Sequence, residues 1–497
     1  MQRIAIFLAA LASAAANATA PTQLHLALAG GADVRVAWKT AAAAPSTCVW
    51  GASNASMPSS AAGASVEYLP GHGFHHAVKL APLLASTRYF YSCGGSAPRA
   101  FTTAPPAGAP ANFSAAIFGD WGFLDSTQRA PSIPVDGMDV NWTASLTREL
   151  LETLGPNGAG GAEAAMDFTW IVGDITYADD GAWHVGELFN FTYEEVYDGF
   201  MAWNENISST VPFQVSVGNH ESECHSPFCI LELNSTGRFL ANFSAYNARW
   251  PMPGPESGGV LAMWYSWDYA DVHFVSIDTS TDFPGAPEGE TGDSHIPLFP
   301  AGHFAPDGAY MAWLESDLAA ARARGARWII AGGHRPTEDL SDPAPLLALF
   351  KAHGVDAYFA GHGHSYYRYD AQAFGDGAVH IMVGGAGCDE MPWPADQRAS
   401  AAMDEDAFSS PRFACESWCR KPDVRRGFAL EGVVAPEADP CRYCSHGAAA
   451  PLYVSDNMAI GRLSVAASAS TSTLTWELLR APDGRVLDTL TLTKPLI

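Results

Sequence analysis

The sequence predicts a mixed α/β domain that follows a small all-β domain. Residues 21–105 contain short runs in which apolar and polar residues alternate, separated by stretches rich in Gly, Ala, Pro and Ser that are typical of turns. The clearest of these runs are Leu24 to Leu28, Val34 to Trp38 and Tyr89 to Ser92. From Asn112 onward, apolar runs of strand length alternate with patterns typical of helices, such as Thr143 to Leu154 and Met311 to Arg324. The 497 residues, of which 48% are hydrophobic, suffice for two or three domains with sizeable cores.

The all-β region is predicted to be a small β-sandwich. It contains neither paired carboxylates nor a histidine cluster, apart from His72, His75 and His76. Because glycines flank this group of histidines, we expect the three side chains in a solvated loop. The Pro- and Ala-rich stretch from Ala104 to Ala111 is predicted to link the sandwich to the α/β domain.

The chain is strongly acidic, which limits the partners it can bind. It carries 53 acidic and 27 basic residues, for a formal net charge of −26 at pH 7. Such a surface repels nucleic acid and anionic membranes at neutral pH. An anionic ligand would therefore need a locally positive site, which bound metal ions could provide.

The N-terminus is typical of a secretory signal peptide, which we predict over residues 1–20. Arg3 precedes an apolar run from Ile4 to Ala16, and small residues suited to cleavage follow near Ala16 and Ala20. The run is too short to span a bilayer, and the alternative is a first core strand or helix. We expect no membrane anchor, because no other stretch is long and apolar enough and the C-terminal residues carry no lipidation signal.

Glycosylation sequons support an exported protein. Asn-Xaa-Ser/Thr sequons are dense along the chain and predict glycosylation at Asn54, Asn112, Asn141, Asn190, Asn206, Asn234 and Asn242. The expected location is secreted or extracellular, with delivery to a vacuole or lysosome as an alternative.

The nine cysteines are clustered, which in an oxidising compartment predicts disulfides. Cys224 and Cys229 are close in sequence, and Cys48 and Cys93 could pair within the N-terminal region. The remaining group is Cys415, Cys419, Cys441 and Cys444, for which a zinc site is the alternative. Cys388 is left either unpaired or bonded to that group, since connectivity does not follow from sequence.

Five apolar runs of the α/β region each end in glycine followed by a residue of a metal-binding type. The side chains delivered in this way are Asp120, Asp174, Asn219, His334, and the pair His362 and His364. Open α/β sheets bind their ligands at the carboxyl ends of strands, and carboxylate, amide and imidazole groups suit iron, manganese or zinc. Each motif alone is common in turns or as a structural histidine, so the prediction of a metal site depends on their joint occurrence.

These motifs resemble the metallophosphoesterase signature in the form found in purple acid phosphatases. The five blocks are G-D-W-G (119–122), G-D-I-T-Y (173–177), G-N-H-E (218–221), G-G-H-R (332–335) and G-H-G-H (361–364). Further segments that resemble the family are Y-N-A-R-W-P-M-P (246–253), M-W-Y-S-W-D (263–268) and W-I-I-A-G-G-H-R-P (328–336). Tyr177 is the most specific of these residues, because most calcineurin-like phosphoesterases lack a tyrosine there.

The resemblance implies an α/β metallophosphoesterase sandwich, in which two mixed β-sheets are flanked by helices. It also implies a fibronectin III-like N-terminal domain over 21–105, a catalytic domain over 112–450, and a C-terminal segment over 451–497 that packs on the catalytic domain. The implied activity is acid phosphatase hydrolysis of phosphate monoesters.

The resemblance further implies two metal ions and a set of ligands for each. A ferric ion would take Asp120, Asp174, Tyr177 and His364, and a divalent Zn, Fe or Mn ion would take Asn219, His334 and His362, with Asp174 bridging both. Two such ions clamp a phosphate and acidify a bound water, so that hydroxide attacks phosphorus opposite the leaving alcohol.

Several further residues are candidates for a role in catalysis. His220 is the expected donor to the phosphate, Arg335 could bind phosphate or only pack, and Glu221 could orient an imidazole or be a surface charge. Relatives carry histidines soon after the block that contains His334, whereas this chain has none before His353, which we expect to be structural. The identity of the general acid is therefore open, and His295 and His303 are the candidates.

Two alternatives remain open from the sequence. The first is another metallophosphoesterase activity, namely a phosphodiesterase, nucleotidase or phytase-like enzyme, since the loops around the site decide the substrate. The second is a secreted glycoprotein that keeps the fold without catalysis, which the presence of all seven expected ligands disfavours. The sandwich could also mediate formation of a homodimer.

Overall fold

The computed structural model describes residues 18–123, 140–156, 158, 165–179, 192–283, 285–288, 299, 301–388, 409–411, 452–455 and 458–496. Most of the predicted signal peptide lies outside these residues, as do Asn190, His295, Cys415, Cys419, Cys441 and Cys444 and the side chains of Asn141 and Asn234.

The N-terminal region is a β-sandwich of two four-stranded antiparallel sheets. One sheet has the order β1-β2-β6-β5 and the other the order β4-β3-β7-β8. The strands are β1 (Thr22–Leu28), β2 (Val34–Thr40), β3 (Thr47–Gly51), β4 (Ser59–Ala62), β5 (Ala64–Val66), β6 (Phe74–Leu80), β7 (Arg88–Cys93) and β8 (Arg99–Thr102). The predicted all-β region is therefore confirmed as a sandwich.

The core of the sandwich is aromatic and contains a disulfide. Trp38, Trp50, Tyr91 and Phe101 are buried between the two sheets. Cys48 and Cys93 lie directly opposite each other on β3 and β7 and are bonded, as expected from the sequence.

The prediction of a solvated histidine loop was wrong for two of the three histidines. His75 and His76 belong to strand β6 and are buried, whereas His72 is exposed in the turn before the strand. The ring of His76 stacks on Trp38, which supplies the apolar contact that places it in the core. The glycines before the strand misled the prediction because they mark only the turn.

The α/β domain contains two large mixed sheets that pack face to face. The first has the order β11-β10-β9-β20-β21-β22 and the second the order β12-β13-β14-β15-β17-β16-β19-β18. Aromatic side chains fill the space between the sheets, for example Trp170 against Trp267, with ring centroids 5.1 Å apart and nearly perpendicular planes.

The strands of these sheets are short except at the C-terminus. They are β9 (Phe113–Phe118), β10 (Phe168–Val172), β11 (Phe213–Ser216), β12 (Tyr265–Tyr269), β13 (Val272–Ser276), β14 (Trp328–Gly332), β15 (Ala357–Ala360), β16 (Tyr366–Arg368), β17 (Val379–Val383), β18 (Ser409–Pro411), β19 (Tyr453–Ser455), β20 (Ala459–Ala467), β21 (Thr471–Arg480) and β22 (Val486–Pro495). Strand β20 pairs antiparallel with β9, so the last three strands extend the first sheet.

Helices connect many of the strands of the α/β domain. The α-helices are α1 (Val140–Leu154), α2 (Tyr193–Ser208), α3 (Pro227–Leu231), α4 (Arg238–Leu240), α5 (Ser244–Arg249), α6 (Gly254–Ser257), α7 (Ala309–Ala323) and α8 (Ala344–His353). Helices α1 and α7 match the two helices predicted from the apolar pattern, and His353 ends helix α8.

A buried ionic network joins the sandwich to the α/β domain. The guanidinium of Arg249 is fully buried and contacts Glu194 Oε2 at 2.7 Å and Asp198 Oδ1 at 2.8 Å. From the sandwich, Lys39 Nζ lies 2.6 Å from Asp198 Oδ2, and the Tyr68 hydroxyl donates to Glu194. Because each buried charge has partners, this junction avoids the cost of an isolated buried ion.

Parallel strands place the polar blocks at one edge of the two sheets. Strands β9, β10 and β11 run parallel, and so do β14 and β15 in the facing sheet. The residues that follow these strands therefore meet at their carboxyl ends, where open α/β sheets bind ligands.

Candidate metal centre

The predicted ligands are carried on strained backbone at the strand ends. Five of them have left-handed φ angles, namely Asp120 (60°), Asp174 (50°), Tyr177 (54°), His362 (69°) and His364 (45°). This region is uncommon for residues other than glycine, and such strain concentrates at functional sites. The strand ends thus turn sharply, which directs the side chains toward one another.

Glycine is required where the ligands approach the backbone most closely. Gly173 has φ of +88°, and a Cβ there would lie 2.5 Å from His334 Nδ1. A Cβ on Gly361 would lie 2.4 Å from Asp120 Oδ2. Both distances are far below van der Waals contact, so the glycines of these two blocks are needed for the ligands to converge.

The first group of side chains combines a carboxylate, a phenol and an imidazole. The Tyr177 hydroxyl lies 3.2 Å from Asp120 Oδ1 and 3.0 Å from His364 Nε2. His364 Nε2 is 3.4 Å from Asp120 Oδ1. All three heteroatoms thus lie within the distances that a single coordinated ion could bridge.

The second group contains Asp174, Asn219, His334 and His362. His334 Nε2 lies 2.9 Å from Asp174 Oδ2 and 3.0 Å from Asn219 Oδ1. One ligand atom each of Asp174, His334 and His362 lies within 4.8 Å of the others. His334 Nδ1 is hydrogen-bonded to the Val172 carbonyl at 3.0 Å, which orients its Nε2 toward the cluster.

Asp174 contacts both the loop after β11 and the imidazole of His334. Its Oδ1 accepts the backbone N–H of His220 at 3.0 Å, and its buried Oδ2 lies 2.9 Å from His334 Nε2. Burial alone would raise the pKa of this carboxyl, but the imidazoles of His334 and His220 hold it below its usual range. An ionised, buried carboxylate beside imidazole groups fits a site for a cation.

Glu221 is not a surface charge, which was one of the two roles considered from the sequence. It is buried, and its carboxylate accepts the backbone N–H groups of Gly218 (2.9 Å), Asp174 (3.0 Å) and Ile175 (2.8 Å). The side chain therefore ties the loop after β11 to the loop after β10. The sequence missed this role because it requires knowing that the two strands are neighbours.

His220 faces the cluster and is held by a carboxylate that sequence reasoning missed. Its Nε2 lies 3.9 Å from Asp174 Oδ2, and its Nδ1 is bonded to Asp179 Oδ2 at 2.9 Å and Oδ1 at 3.1 Å. The Tyr177 ring packs on the other side, with centroids 4.1 Å apart. The sequence contained one indication of this role, because Asp179 lies only two residues after the predicted ligand Tyr177.

Asp179 is shared by a second imidazole. His225 Nδ1 lies 2.9 Å from Asp179 Oδ2, and His225 Nε2 lies 3.3 Å from Glu223 Oε1. Although burial would raise the pKa of Asp179, His220 and His225 lower it to about 2, so this carboxylate stays ionised. His225 lies between Cys224 and Cys229, which form the second expected disulfide.

Arg335 lies beside the second group of side chains. Its Nη1 is 2.8 Å from His362 Nε2, and its Nη2 pairs with the buried Glu288 Oε1 at 2.6 Å. The side chain is 8% exposed, so it borders the site instead of lying on the surface. Glu288 is a further partner that the sequence did not indicate.

The structure does not place the described candidates for the general acid beside the two groups of ligand-type side chains. The His303 side chain is 54% exposed and lies 4.0 Å from Asp307 on the surface, which argues against a place in the site. His353 ends helix α8, away from the strand ends. His295 lies outside the described residues.

Cys388 packs beside the first group and belongs to neither disulfide. Its backbone N–H donates to the Asp120 carbonyl at 3.0 Å. Together with Leu146, Tyr177 and Met458, it forms a small buried cluster that supports the tyrosine ring.

Comparison with known proteins defines the class to which this fold and site belong. Residues 113–366 match the family described as calcineurin-like phosphoesterase, and residues 21–104 match the family described as purple acid phosphatase, N-terminal domain. The chain therefore belongs to the calcineurin-like phosphoesterase family, in its purple acid phosphatase branch. It is accordingly an acid phosphatase, of a family that implies a binuclear metal centre.

Individual relatives agree with this assignment. Purple acid phosphatase 22 of Arabidopsis thaliana is 28% identical over 385 residues, covering 74% of this chain and 72% of the relative. Human acid phosphatase type 7 is 28% identical over 433 residues, covering 77% and 81%. The structure of a purple acid phosphatase from yellow lupin seeds shares the fold, with a TM-score of 0.57 at 17% identity over 95% of this chain and 74% of that chain.

Among the described residues, no helix is both long and apolar enough to cross a bilayer.

Proposed function

We propose that this chain is a secreted enzyme that hydrolyses phosphate monoesters at a binuclear centre of Fe(III) and a divalent Zn, Fe or Mn ion. The observation that carries the proposal is the convergence of two groups of ligand-type side chains, one with Asp120, Tyr177 and His364 and the other with Asp174, His334 and His362. The two groups adjoin, because the backbone N–H of His362 donates to Asp120 Oδ2 at 2.9 Å. Asp174 would be the carboxylate that two adjacent cations share.

The donor sets differ in a way that fits two different ions. Asp120, Tyr177 and His364 would hold the ferric ion with Asp174, because anionic oxygen ligands favour the harder and more highly charged ion. Asn219, His334 and His362 would hold the divalent ion, for which a neutral amide and two imidazoles are suitable. When bound, the two ions supply Lewis-acid activation of the ester and of the water that attacks it.

The chain's own groups would bind the phosphate and protonate the leaving group. His220 Nε2 faces the cluster, so the protonated ring can donate to a phosphate oxygen or to the departing alcohol oxygen. Asp179 accepts from Nδ1 and balances the charge of the imidazolium. His220 is thus the proposed catalytic residue for the step in which the P–O bond to the alcohol breaks.

Arg335 is the proposed phosphate-binding residue, because its guanidinium lies at the edge of the cluster and Glu288 fixes one of its nitrogens. Arg335→Gln is expected to raise KM for a monoester more than it lowers kcat. A change confined to kcat would contradict a role in substrate binding.

Secretion is supported by the two disulfides and by the surface position of the sequons. All four sequon asparagines whose side chains the structure describes, Asn54, Asn112, Asn206 and Asn242, are exposed. Treatment of the protein from its native source with an N-glycosidase is expected to lower its apparent mass, and an unchanged mass would count against glycosylation.

The experiment that tests the centre is a metal analysis of wild type and Asp174→Asn, combined with a panel of phosphate monoesters and diesters. Wild type is expected to hold two metal ions per chain and to prefer monoesters. Asp174→Asn is expected to lose at least one metal ion, and its kcat is expected to fall by about 100-fold or more. Losing a residue that only hydrogen-bonds to a metal ligand already lowers activity by up to about 100-fold, so losing a ligand should cost at least as much. One ion per wild-type chain would contradict the binuclear proposal, and faster turnover of diesters would contradict the monoester preference.

A further inference from the structure

We propose that His225 is a positioning residue for the catalytic His220, that it acts through the shared carboxylate of Asp179, and that the Cys224–Cys229 disulfide holds it there. The inference rests on the proposed function, because it assigns a role relative to the catalytic imidazole. It adds a residue and a disulfide that the reaction chemistry alone does not require.

The contact geometry forms a continuous chain that begins at the catalytic imidazole. His220 Nδ1 and His225 Nδ1 both lie 2.9 Å from Asp179 Oδ2, and His220 also contacts Oδ1 at 3.1 Å. Asp179 is fully buried, so its carboxylate has no bulk water to replace a lost hydrogen bond. Removing His225 would therefore leave Asp179, the carboxylate that orients His220, with one hydrogen bond fewer.

The outer end of the chain is also fixed. His225 Nε2 lies 3.3 Å from Glu223 Oε1, and Glu223 Oε2 accepts the backbone N–H of Phe299 at 3.1 Å. The Glu223 side chain is only 4% exposed. A buried carboxylate thus contacts each nitrogen of the His225 ring, which defines the plane of the ring.

The disulfide explains how a short loop holds this ring in place. Cys224 precedes His225, and its partner Cys229 lies in helix α3, whose N-cap Ser226 accepts the Cys229 N–H at 3.4 Å. The bond closes a loop with a sequence separation of five residues around His225. Without it, the loop would gain conformations in which His225 no longer contacts Asp179.

The two ring nitrogens can be tested separately by amide substitutions. The Nδ2 of an asparagine occupies nearly the position of histidine Nδ1, so His225→Asn keeps a donor to Asp179. His225→Gln places its amide nitrogen near the position of Nε2 and keeps only the contact with Glu223. His225→Ala removes both contacts.

The expected result is a change in kcat that depends on the donor to Asp179. His225→Ala and His225→Gln should lower kcat by about 10-fold, the size of one lost charge-assisted hydrogen bond, while KM stays within about twofold. His225→Asn should recover most of the loss. Metal content and the unfolding midpoint serve as readouts besides activity, and the metal content should equal that of wild type in all three variants.

A double-mutant cycle tests whether the Cys224–Cys229 disulfide acts through His225. Cys224→Ser/Cys229→Ser should lower kcat, and adding His225→Ala should lower it no further, because both changes remove the same contact. The matched control is Cys48→Ser/Cys93→Ser in the sandwich, which removes a disulfide far from the strand ends and should leave kcat unchanged.

The proposal is overturned if His225→Ala keeps the wild-type kcat, if His225→Asn is as slow as His225→Ala, or if the effects of His225 and the disulfide simply add. The series is run with the phosphate ester that wild type hydrolyses fastest. Failure of the monoesterase proposal would therefore appear as a different preferred ester, whereas failure of the positioning role would appear as unchanged kinetics in His225→Ala.

Discussion

Each of the two domains contains a pair of closely spaced histidines, and the two pairs lie in opposite kinds of environment. His75 and His76 are consecutive residues of the regular strand β6, and the ring of His76 is bonded to the hydroxyls of Thr40 and Ser46, both at 2.8 Å. His362 and His364 follow strand β15 on left-handed backbone.

The difference teaches which features separate a structural histidine from a ligand. Neutral hydroxyl partners satisfy His76 completely within the core, and burial lowers the pKa of its ring, which favours the neutral form. His364 instead contacts the Asp120 carboxylate and the Tyr177 phenol, two acidic groups that converge on one imidazole nitrogen. Strained backbone and convergent acidic partners therefore indicate a ligand better than burial or spacing does.

The largest effect on activity is expected when one of the predicted metal ligands is replaced. His364→Ala should lower kcat by at least about 100-fold, because losing a ligand costs more than losing the outer partner of a ligand. Kinetics and metal content per chain measure this change. His76→Ala is the matched control and should keep kcat within about twofold, and comparable losses in both variants would contradict the distinction.

A smaller effect is expected when the buried His76 of the sandwich is replaced. This change should lower the stability of the fold without changing kcat. His76→Ala removes hydrogen bonds to two hydroxyls and the stacking contact with Trp38. The free energy of unfolding should fall by about 1–3 kcal/mol, the cost of leaving a buried polar group unsatisfied. Denaturant unfolding measures it, and an unchanged midpoint would show that His76 does not contribute to the core.

The smallest effect concerns another buried histidine, His273, which sharpens the comparison because carboxylates hold both of its ring nitrogens. His273 lies between Asp268 and Asp317, with each ring nitrogen 2.8 Å from a carboxylate oxygen, and Arg324 also pairs with Asp268. Burial would lower the pKa of His273, but the two carboxylates raise it above its ordinary value.

The sign of the pH dependence follows from this raised pKa. The stabilising contribution of His273 is fully present below its unfolded pKa and is lost as pH rises through the folded pKa. The difference in unfolding free energy between wild type and His273→Gln should therefore be larger at pH 5.5 than at pH 9. Denaturant unfolding at both pH values checks it, and a larger difference at pH 9 would contradict the ionic role.

Much of the fold followed from the sequence because it depends on local patterns. The strand preceding each polar block and helices α1 and α7 lie where the apolar runs predict them. The Cys48–Cys93 and Cys224–Cys229 pairs were also expected, since short separations or a shared domain favoured them.

The sequence did not give the contacts that require knowledge of neighbouring strands. Glu221 bonds across from the loop after β11 to the loop after β10, and Asp179 and His225 meet although 46 residues separate them. Glu288 and Arg335 are likewise brought together only by the fold. No periodic pattern in the sequence indicates these contacts, because the spacing between the partners depends on the order of strands in the sheet and not on the geometry of one strand.

The most direct test of the central claim is the visible absorption spectrum of the iron-loaded protein and of Tyr177→Phe. The Tyr177 hydroxyl lies 3.2 Å from Asp120 Oδ1 and 3.0 Å from His364 Nε2, where a phenolate would bind the ferric ion. The control is Tyr91→Phe, whose hydroxyl bonds to the Ser209 carbonyl in the sandwich interface. The account predicts a purple phenolate-to-iron band in wild type and Tyr91→Phe that is absent from Tyr177→Phe. A wild type without the band, or a band that persists in Tyr177→Phe, would contradict it.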